Sequence, residues 1–329
     1  MTATPATEQS AILLSVIVPC YNEEEVIDQF FARLVDSVKN LDGRSEAIFI
    51  DDGSKDGTLD KIFALSADQI DIQVVQLSRN FGKEAAMSAG LAQVRGQAVI
   101  LIDADLQDPP ELIGEMVEKW RQGFDVVNMQ RSSRQGETAL KKFTANMFYK
   151  VMGHLSETPI PQNVGDFRLL SRRVIEHINA LPEKNRYMKG LLSWPGFNQT
   201  TVQFERDPRL AGETKWNYGK LFGLAIDGIT AFSTKPLRLA SWAGSIVALS
   251  AFVYGVWIVL KTMLFGETVA GYPSLMVAIL GLGGVQLLAI GILGEYLGRV
   301  FVEVKARPNY LIDKTIIKDN SSTDGKGNQ

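Results

Sequence analysis

Two carboxylates separated by one residue, Asp103 and Asp105, follow directly on the apolar run at 98–102. Side chains alternate in direction along an extended chain, so both carboxylates point the same way. Hard oxygen ligands of this kind suit Mg²⁺ or Mn²⁺, with the phosphate oxygens of a substrate as the remaining ligands. A polar turn between a strand and a helix is the alternative for this pair taken alone. The residues described next favour the metal–phosphate site.

Polar residues also follow the first two apolar runs of the chain, at 19–24 and 51–58. In these positions Tyr21 can stack on a nucleobase, while Glu23 or Asp52 can accept hydrogen bonds from a base or a ribose. Either segment alone is typical of an ordinary turn, because Asp and Gly are common turn residues. Together with the later carboxylate pair, they predict a nucleotide site formed by successive strand ends.

Basic residues suited to phosphate lie in two further places. Arg131 follows the fifth apolar run, where a guanidinium can bind a phosphate through two parallel hydrogen bonds. Arg209 and Lys215 lie in a loop before the amphipathic stretch at 218–232, a position suited to the phosphate of a lipid. Attraction to anionic lipid headgroups is the alternative for these two residues.

The spacing of apolar residues up to about residue 155 predicts an α/β fold with a mostly parallel sheet. Short runs rich in Val, Ile and Leu alternate with amphipathic stretches, which is typical of buried parallel strands connected by helices. Ligands bind beyond the carboxyl ends of such strands, where the residues described above lie. The predicted strands are 12–18, 47–50, 72–77, 98–102, 125–129 and 165–170. Asn22 and Thr58 are predicted to cap the first two helices, and three further helices are predicted at 83–94, 110–122 and 138–151.

Two uncharged runs, 239–260 and 268–294, are each longer than the roughly 20 residues that cross a bilayer, so we expect two transmembrane helices. The amphipathic stretch before them resembles a helix in the membrane interface, with a helix packed on the globular domain as the alternative. The polar sequence after Leu311 predicts a disordered tail. The predicted organisation is an N-terminal tail (1–10), a catalytic domain (11–216), an interface helix region (217–235), two transmembrane helices (236–300) and a C-terminal tail (301–329).

Composition limits the remaining possibilities. The formal net charge of −3 gives no indication of nucleic-acid binding, and the two histidines are too few for a zinc site. The single Cys20 excludes a disulfide within the chain and fits a reducing compartment. The apolar segment at 11–19 is too short to span a membrane, so we expect no signal peptide. Basic residues flank the outer ends of the two uncharged runs, which predicts cytoplasmic termini and a cytoplasmic catalytic domain.

The polar segments at the strand ends, the basic loop before the amphipathic stretch and the two uncharged runs together resemble glycosyltransferase family 2. Within that family they resemble the polyprenyl-phosphate branch, which includes dolichol-phosphate mannose synthase and GtrB-type bactoprenol glucosyltransferases. The resemblance covers nearly the whole chain except its tails, and its most specific part is 103–111. It implies a nucleotide-diphospho-sugar-binding (GT-A-like) domain with a bound Mg²⁺ or Mn²⁺. The residues implied at the donor are Pro19, Tyr21, Glu23, Ile50, Asp52, Asp103 and Ala104, those at the metal are Asp105 and Gln107, and those facing phosphates are Arg131, Arg209 and Lys215.

The resemblance also implies a position near the reacting centre for Asp166. Asp166 and Arg168 share one face if their segment is extended. A phosphate acceptor is already mostly ionised at neutral pH, so we expect Asp166 to orient the acceptor or Arg168 rather than to remove a proton. The expected catalytic residues are therefore Asp105, Asp166 and Arg168.

The sequence lacks the Gln-x-x-Arg-Trp motif of family members that extend polysaccharides processively, which favours transfer of one sugar per acceptor. We expect an inverting enzyme of the inner (plasma) membrane that moves one hexose from a nucleotide-diphosphate donor to polyprenyl phosphate. UDP-glucose and undecaprenyl phosphate are the first choices of substrate, and GDP-mannose, a UDP-N-acetylhexosamine or UDP-aminoarabinose are the alternative donors. A non-catalytic partner of a lipid flippase is the alternative from another class. Association into a homo-oligomer is left open.

Overall fold

The computed structural model describes residues 12–132, 164–184, 186, 188–192, 194–205, 235–265 and 271–319. Its strands are β1 (Ile12–Cys20), β2 (Arg44–Asp51), β3 (Asp71–Leu77), β4 (Ala98–Leu101), β5 (Val126–Arg131), β6 (Val164–Ser171), β7 (Gln199–Phe204) and β8 (Ile312–Lys318). They form one eight-stranded sheet in the order β7-β5-β6-β4-β1-β2-β3-β8. The four strands β1 to β4 run parallel, β6 is antiparallel to β4 and β5, β7 is parallel to β5, and β8 is antiparallel to β3. The predicted α/β fold with a mostly parallel sheet is confirmed.

Helices cover both faces of this sheet. They are α1 (Ile27–Val38), α2 (Thr58–Ala64), α3 (Lys83–Leu91), α4 (Ile113–Arg121) after a 3₁₀ turn at Pro110–Leu112, α5 (Arg172–Ala180) and α6 (Met188–Leu191). One apolar core lies between the sheet and α1, α2 and α4, and a second lies between the sheet and α3, α5 and α6. Alternate residues of β1 supply both cores, with Val16 and Val18 in the first and Ile17 in the second.

Asn22 and Thr58, the two predicted helix caps, bind backbone N–H groups of a neighbouring loop instead. Asn22 lies in a turn with a left-handed φ of 55°, and α1 begins only at Ile27. The Asn22 side-chain oxygen accepts the backbone N–H of Lys55 at 2.9 Å. Thr58 is the first residue of α2 rather than its cap, and its hydroxyl oxygen accepts the backbone N–H of Glu23 at 2.8 Å. Both side chains thus connect the β1–α1 loop to the β2–α2 loop, a tertiary contact that the local sequence does not specify.

Two long helices, α7 (Lys235–Phe265) and α8 (Tyr272–Lys305), pack against each other. The windows 240–257 and 281–305 are long and apolar enough to cross a membrane, and 0% of either window is buried inside the protein. Apolar surface that stays exposed over this length is typical of helices in contact with lipid rather than of soluble core helices. The helix α8 is about 50 Å long at 1.5 Å per residue, which exceeds a hydrocarbon core of about 30 Å.

The prediction of a disordered tail after Leu311 is wrong for residues 312–318. These residues form β8, which pairs with β3 from Ile72–Lys318 to Leu77–Ile312. The segment is rich in β-branched residues, which favour strands, and β3 would otherwise end the sheet with unpaired backbone groups. The chain therefore returns to the sheet after the long helices, and the segment predicted as a tail (301–329) contains the end of α8 and all of β8.

Two further predicted helices, at 138–151 and 218–232, lie outside the described residues, so the predicted interface helix stays a prediction.

Candidate active site

The carboxyl ends of the central strands surround a cavity of about 560 Å³. This volume is typical of small-molecule sites. The lining combines carboxylates, two cations and one exposed aromatic ring. The lining residues are Pro19, Cys20, Tyr21, Glu23, Asp52, Asn80, Gly82, Lys83, Ala86, Asp103, Ala104, Asp105, Arg131, Gly165 and Asp166.

The turn after β4 brings both carboxylates of the Asp-x-Asp pair to the cavity. Asp103 and Asp105 line it, and Asp105 accepts the backbone N–H of Gln107 at 3.2 Å. Leu106, between Asp105 and Gln107, has a left-handed φ of 59° and a fully buried side chain. A left-handed non-glycine residue costs about 1–2 kcal/mol, and such strain is concentrated at functional sites. The buried leucine anchors the turn that holds Asp105 at the cavity.

Lys83, which the sequence analysis does not single out, bridges two of the cavity carboxylates. Its ammonium nitrogen lies 2.6 Å from Asp103 Oδ1 and 2.5 Å from Asp166 Oδ2. Burial opposes the charged form of Lys83, but the two carboxylates outweigh burial and raise its pKa above the ordinary value. The signal for Lys83 in the sequence is weak, because this residue lies in the loop and helix start after β3 and a lysine at a helix start is common.

The β2–α2 loop positions the backbone that carries Lys83. The Asp52 carboxylate accepts the backbone N–H groups of Phe81 at 2.7 Å and Gly82 at 2.9 Å. Burial raises the pKa of Asp52, and these two hydrogen bonds oppose the rise. Gly53 permits the close approach of the two loops, because a Cβ there would lie 2.7 Å from the backbone nitrogen of Asn80. Asp52 therefore lines the cavity while its carboxylate is bound to the β3–α3 loop.

Tyr21 stands at the mouth of the cavity with 41% of its surface exposed, so its ring is accessible to a ligand. The loop that carries it is held by the bond of the Glu23 backbone to Thr58 and by Gly57 N–H donating to Glu24 at 2.9 Å. The predicted stacking position is therefore compatible with the structure.

The opposite wall comes from β5 and β6. Arg131 reaches over Gly165, where an added Cβ would lie 3.2 Å from its Nη2. Asp166 faces the cavity, whereas Arg168, two residues on, is only 2% exposed and lies outside the lining. Arg168 donates from Nη2 to the Gly165 carbonyl at 2.8 Å, and its Nε and Nη1 have no hydrogen-bond partner within the described ranges. Burial lowers the pKa of Arg168, and Asp166 and Glu84 counteract this.

Most of the predicted site residues meet at this cavity. Pro19, Tyr21, Glu23, Asp52, Asp103, Ala104, Asp105, Arg131 and Asp166 all line it. Ile50 does not, because its side chain is fully buried in the second core. Gln107 and Arg168 also lie outside the lining, and Arg209 and Lys215 lie outside the described residues.

The donor set of the cavity fits a hard divalent cation. Asp103, Asp105 and Asp166 line it with carboxylate oxygens, the type of ligand that such a cation prefers, and the Lys83 ammonium lies between two of them as a cation. Within the part of the chain that the structure describes, no three His, Cys, Asp or Glu side chains are placed to hold a metal by themselves. Mg²⁺ commonly binds through one or two carboxylates together with substrate phosphates and water.

Two parts of the chain match known protein families. The family model described as glycosyl transferase family 2 matches residues 15–178, and the model described as GtrB C-terminal hairpin matches residues 235–300. The chain belongs to glycosyl transferase family 2. The predicted family and its GT-A-like fold are confirmed, and the hairpin match contains both helices that we expect to cross the membrane.

Several relatives of this glycosyltransferase align over nearly their whole length. It is 54% identical over 301 residues to an uncharacterized glycosyltransferase of Synechocystis, with 92% of this chain and 95% of that protein covered. It is 48% identical over 301 residues to the prophage bactoprenol glucosyl transferase homolog of Escherichia coli K12, with 92% of this chain and 98% of that protein covered.

Among solved structures, the chain is similar to S. aureus TarS 1-349 in complex with UDP-GlcNAc. The two are 17% identical, with a TM-score of 0.48, and the match covers 67% of this chain and 66% of that chain.

Proposed function

We propose that this glycosyltransferase moves glucose from UDP-glucose to the phosphate of undecaprenyl phosphate, one sugar per acceptor. The observation that carries the proposal is that a cavity lined by Asp103, Asp105, Asp166 and Arg131 belongs to the same chain as a helical hairpin of membrane-spanning length. Relatives named bactoprenol glucosyl transferase, 48% identical over nearly their whole length, support the lipid and the sugar. A soluble nucleotidyltransferase would not require such a hairpin.

In the proposed reaction a phosphate oxygen of the lipid attacks the anomeric carbon in line. The new C–O bond forms as the bond to the nucleotide diphosphate breaks, so an α-linked donor gives a β-linked product. The attacking oxygen is already ionised, and no proton has to be removed. Asp166, on β6 at the edge of the cavity, is assigned to orienting the acceptor, with Arg168 behind it as a positioning residue. Positioning and electrostatics then supply most of the acceleration.

Charge develops on the departing diphosphate. We propose that Asp105 and Gln107 hold Mg²⁺ or Mn²⁺, which when bound offsets this charge. Arg131 is assigned to the phosphates, since its guanidinium lines the cavity beside Gly165. Pro19, Tyr21, Glu23, Asp52 and Ala104 are assigned to the nucleotide.

Donor choice is tested with purified full-length protein in Mg²⁺ and a short polyprenyl phosphate. Radiolabelled UDP-glucose is expected to give an organic-extractable glucolipid that is labile to mild acid and requires the added lipid. A higher kcat/KM with GDP-mannose or UDP-N-acetylglucosamine would replace the sugar and keep the reaction class. Absence of labelled lipid with every donor would favour the non-catalytic alternative.

Arg209 and Lys215 are proposed to bind the acceptor phosphate. Replacing both with alanine is expected to raise the KM for polyprenyl phosphate far more than the Kd for the nucleotide. Equal losses in both would assign the two residues to the donor diphosphate instead.

We further propose that the enzyme lies in the inner membrane with both termini cytoplasmic. Five basic residues flank the outer ends of the hairpin and one lies near its connecting loop: Lys235, Arg238, Arg299, Lys305 and Arg307, against Lys261. Protease added to vesicles whose cytosolic side faces outward should remove both tails. Protection of both tails would reverse the orientation.

A further inference from the structure

We infer that Lys83 is a built-in counter-cation of the donor site, which offsets part of the negative charge of Asp103 and Asp166 before the donor binds and moves to the donor's diphosphate afterwards. The inference deepens the proposed function and rests on it, because it takes a nucleotide diphosphate as the ligand. It concerns a residue that the proposed reaction has not used.

The position of the ammonium group is the first argument. It is within 2.7 Å of both oxygens of Asp103 and 2.5 Å from Asp166, although these carboxylates come from different strands. Two carboxylates held this close to a common point repel each other unless a cation lies between them. Lys83 supplies that cation.

The balance of charge in the cavity is the second argument. Among the described residues five carboxylates line it, from Glu23, Asp52, Asp103, Asp105 and Asp166, against two cations, Lys83 and Arg131. A diphosphate entering this cavity meets an excess of negative charge. A divalent ion that replaces Lys83 beside Asp103 reduces the excess and also frees the ammonium group for the phosphates.

The attachment of Lys83 is the third argument. Lys83 is the first residue of α3, and Asp52 fixes the two backbone N–H groups just before it, at Phe81 and Gly82. Gly82 has a φ of 96°, which a glycine adopts without strain. The backbone is therefore fixed, whereas the four-carbon side chain can redirect its ammonium group by rotation alone.

A coupling between metal and nucleotide follows. Asp103 lines the cavity together with Asp105 and, in this proposal, becomes a further ligand of the divalent ion that Asp105 holds. The ammonium and the ion therefore compete for Asp103, so Lys83 weakens metal binding to the free enzyme. Once a diphosphate offers the ammonium another partner, that competition ends and the metal binds more tightly. By linkage, the metal strengthens diphosphate binding by the same factor.

The test compares Lys83→Met and Lys83→Arg in the full-length protein, with Lys55→Met as the control on a neighbouring loop outside the cavity. Free Mn²⁺ is measured by electron paramagnetic resonance with no nucleotide, with UDP and with inorganic pyrophosphate. Without nucleotide, we expect Lys83→Met to bind Mn²⁺ about tenfold more tightly, because the competing ammonium is gone. In saturating Mn²⁺, we expect it to bind UDP about tenfold more weakly, because one charged hydrogen bond to the diphosphate is lost. Lys83→Arg should restore the coupling in part, and Lys55→Met should match the wild type.

Opposite signs for the two ligands distinguish this role from a structural one. Weaker binding of both Mn²⁺ and UDP by Lys83→Met, or no change in either, would overturn the inference. Wild-type protein whose Mn²⁺ affinity does not rise with pyrophosphate would overturn it too, whether or not any variant folds. If pyrophosphate shows the coupling and UDP does not bind, the inference stands and the proposed UDP donor fails.

Discussion

The two ends of the central sheet treat buried charge in different ways. At the amino end, Glu46 of β2 is fully buried and accepts hydrogen bonds from the Ser15 hydroxyl, at 2.5 Å, and from both the backbone N–H and Nε of Arg95, at 2.9 and 2.7 Å. At the carboxyl end, Asp103 and Asp166 share one ammonium group and remain 25% and 16% exposed.

The difference shows how a structural polar cluster can be told from a ligand site. The protein itself supplies the partners of Glu46, as buried polar groups require. At the carboxyl end the carboxylates among the described residues outnumber the cations and line a cavity, so their charge is balanced only when a cationic ligand binds. The same exchange of carboxylate for amide should therefore affect catalysis at one end and stability at the other.

The largest effect is expected from Asp105→Asn. It removes an anionic ligand but keeps the shape of the side chain, so turnover should fall at least about 100-fold, the range for losing a key electrostatic stabiliser. Turnover is measured with saturating donor in Mg²⁺ and in Mn²⁺, and the thermal unfolding temperature should stay close to that of the wild type. Asp36→Asn, on the exposed face of α1, is the matched control and should be fully active. Near-normal rates for Asp105→Asn in either metal would remove Asp105 from the proposed metal site.

Glu46→Gln should have the converse effect. The amide nitrogen, itself a donor, would replace an oxygen that accepts hydrogen bonds from the donors Ser15 and Arg95. The free energy of unfolding should therefore fall by about 2 kcal/mol, the scale of a hydrogen bond to a charged group. Denaturant titration in detergent, followed by circular dichroism, measures the loss. The kcat/KM per folded molecule should be unchanged, and a tenfold fall in it would show that the amino end also contributes to catalysis.

A smaller loss of stability is expected from Lys318→Met in β8. The Lys318 ammonium group donates to the carbonyls of Phe63 and Leu65 at the end of α2, where a cation stabilises the helix. Its removal should cost about 1 kcal/mol in the same titration. Lys314→Met, which loses only a 5.7 Å contact with the Phe63 ring, should cost less. Equal effects of the two substitutions would argue against a specific role for Lys318 at the helix end.

The smallest effect concerns pH and Asp52. Because its pKa is raised in the folded protein, the stability it contributes is present below the ordinary carboxyl pKa and is lost as pH rises through the raised value. Acidification therefore does not unfold the protein through Asp52, but it weakens the acceptor that holds Phe81 and Gly82. UDP affinity should fall less than tenfold on mild acidification, and this part of the pH profile should be absent in Asp52→Asn. Identical pH profiles of UDP affinity in the wild type and Asp52→Asn would contradict the assignment of this pH effect to Asp52.

Strand ends were predictable from sequence, because apolar runs mark buried strands and parallel strands direct their carboxyl ends to one edge. That reasoning placed Tyr21, Asp52, Asp105 and Arg131 at one cavity, and the structure agrees. It overlooked Lys83, since a lysine at a helix start is ordinary by itself and becomes informative only when Asp103 and Asp166 are found beside it. It also did not predict that the Asp52 carboxylate accepts two backbone N–H groups distant in sequence, those of Phe81 and Gly82.

The sequence by itself determined the family, the mostly parallel α/β layer and the two apolar helices, because periodicity, strand-end motifs and uncharged runs are local properties. Only the tertiary structure decided that residues 312–318 complete the sheet, since a strand at an edge depends on the open edge of β3 that receives it. It alone decided that Ile50 lies in the core and that one ammonium group bridges Asp103 and Asp166. Those facts depend on residues far apart in the chain, and the distances between them are set by packing rather than by spacing along the sequence.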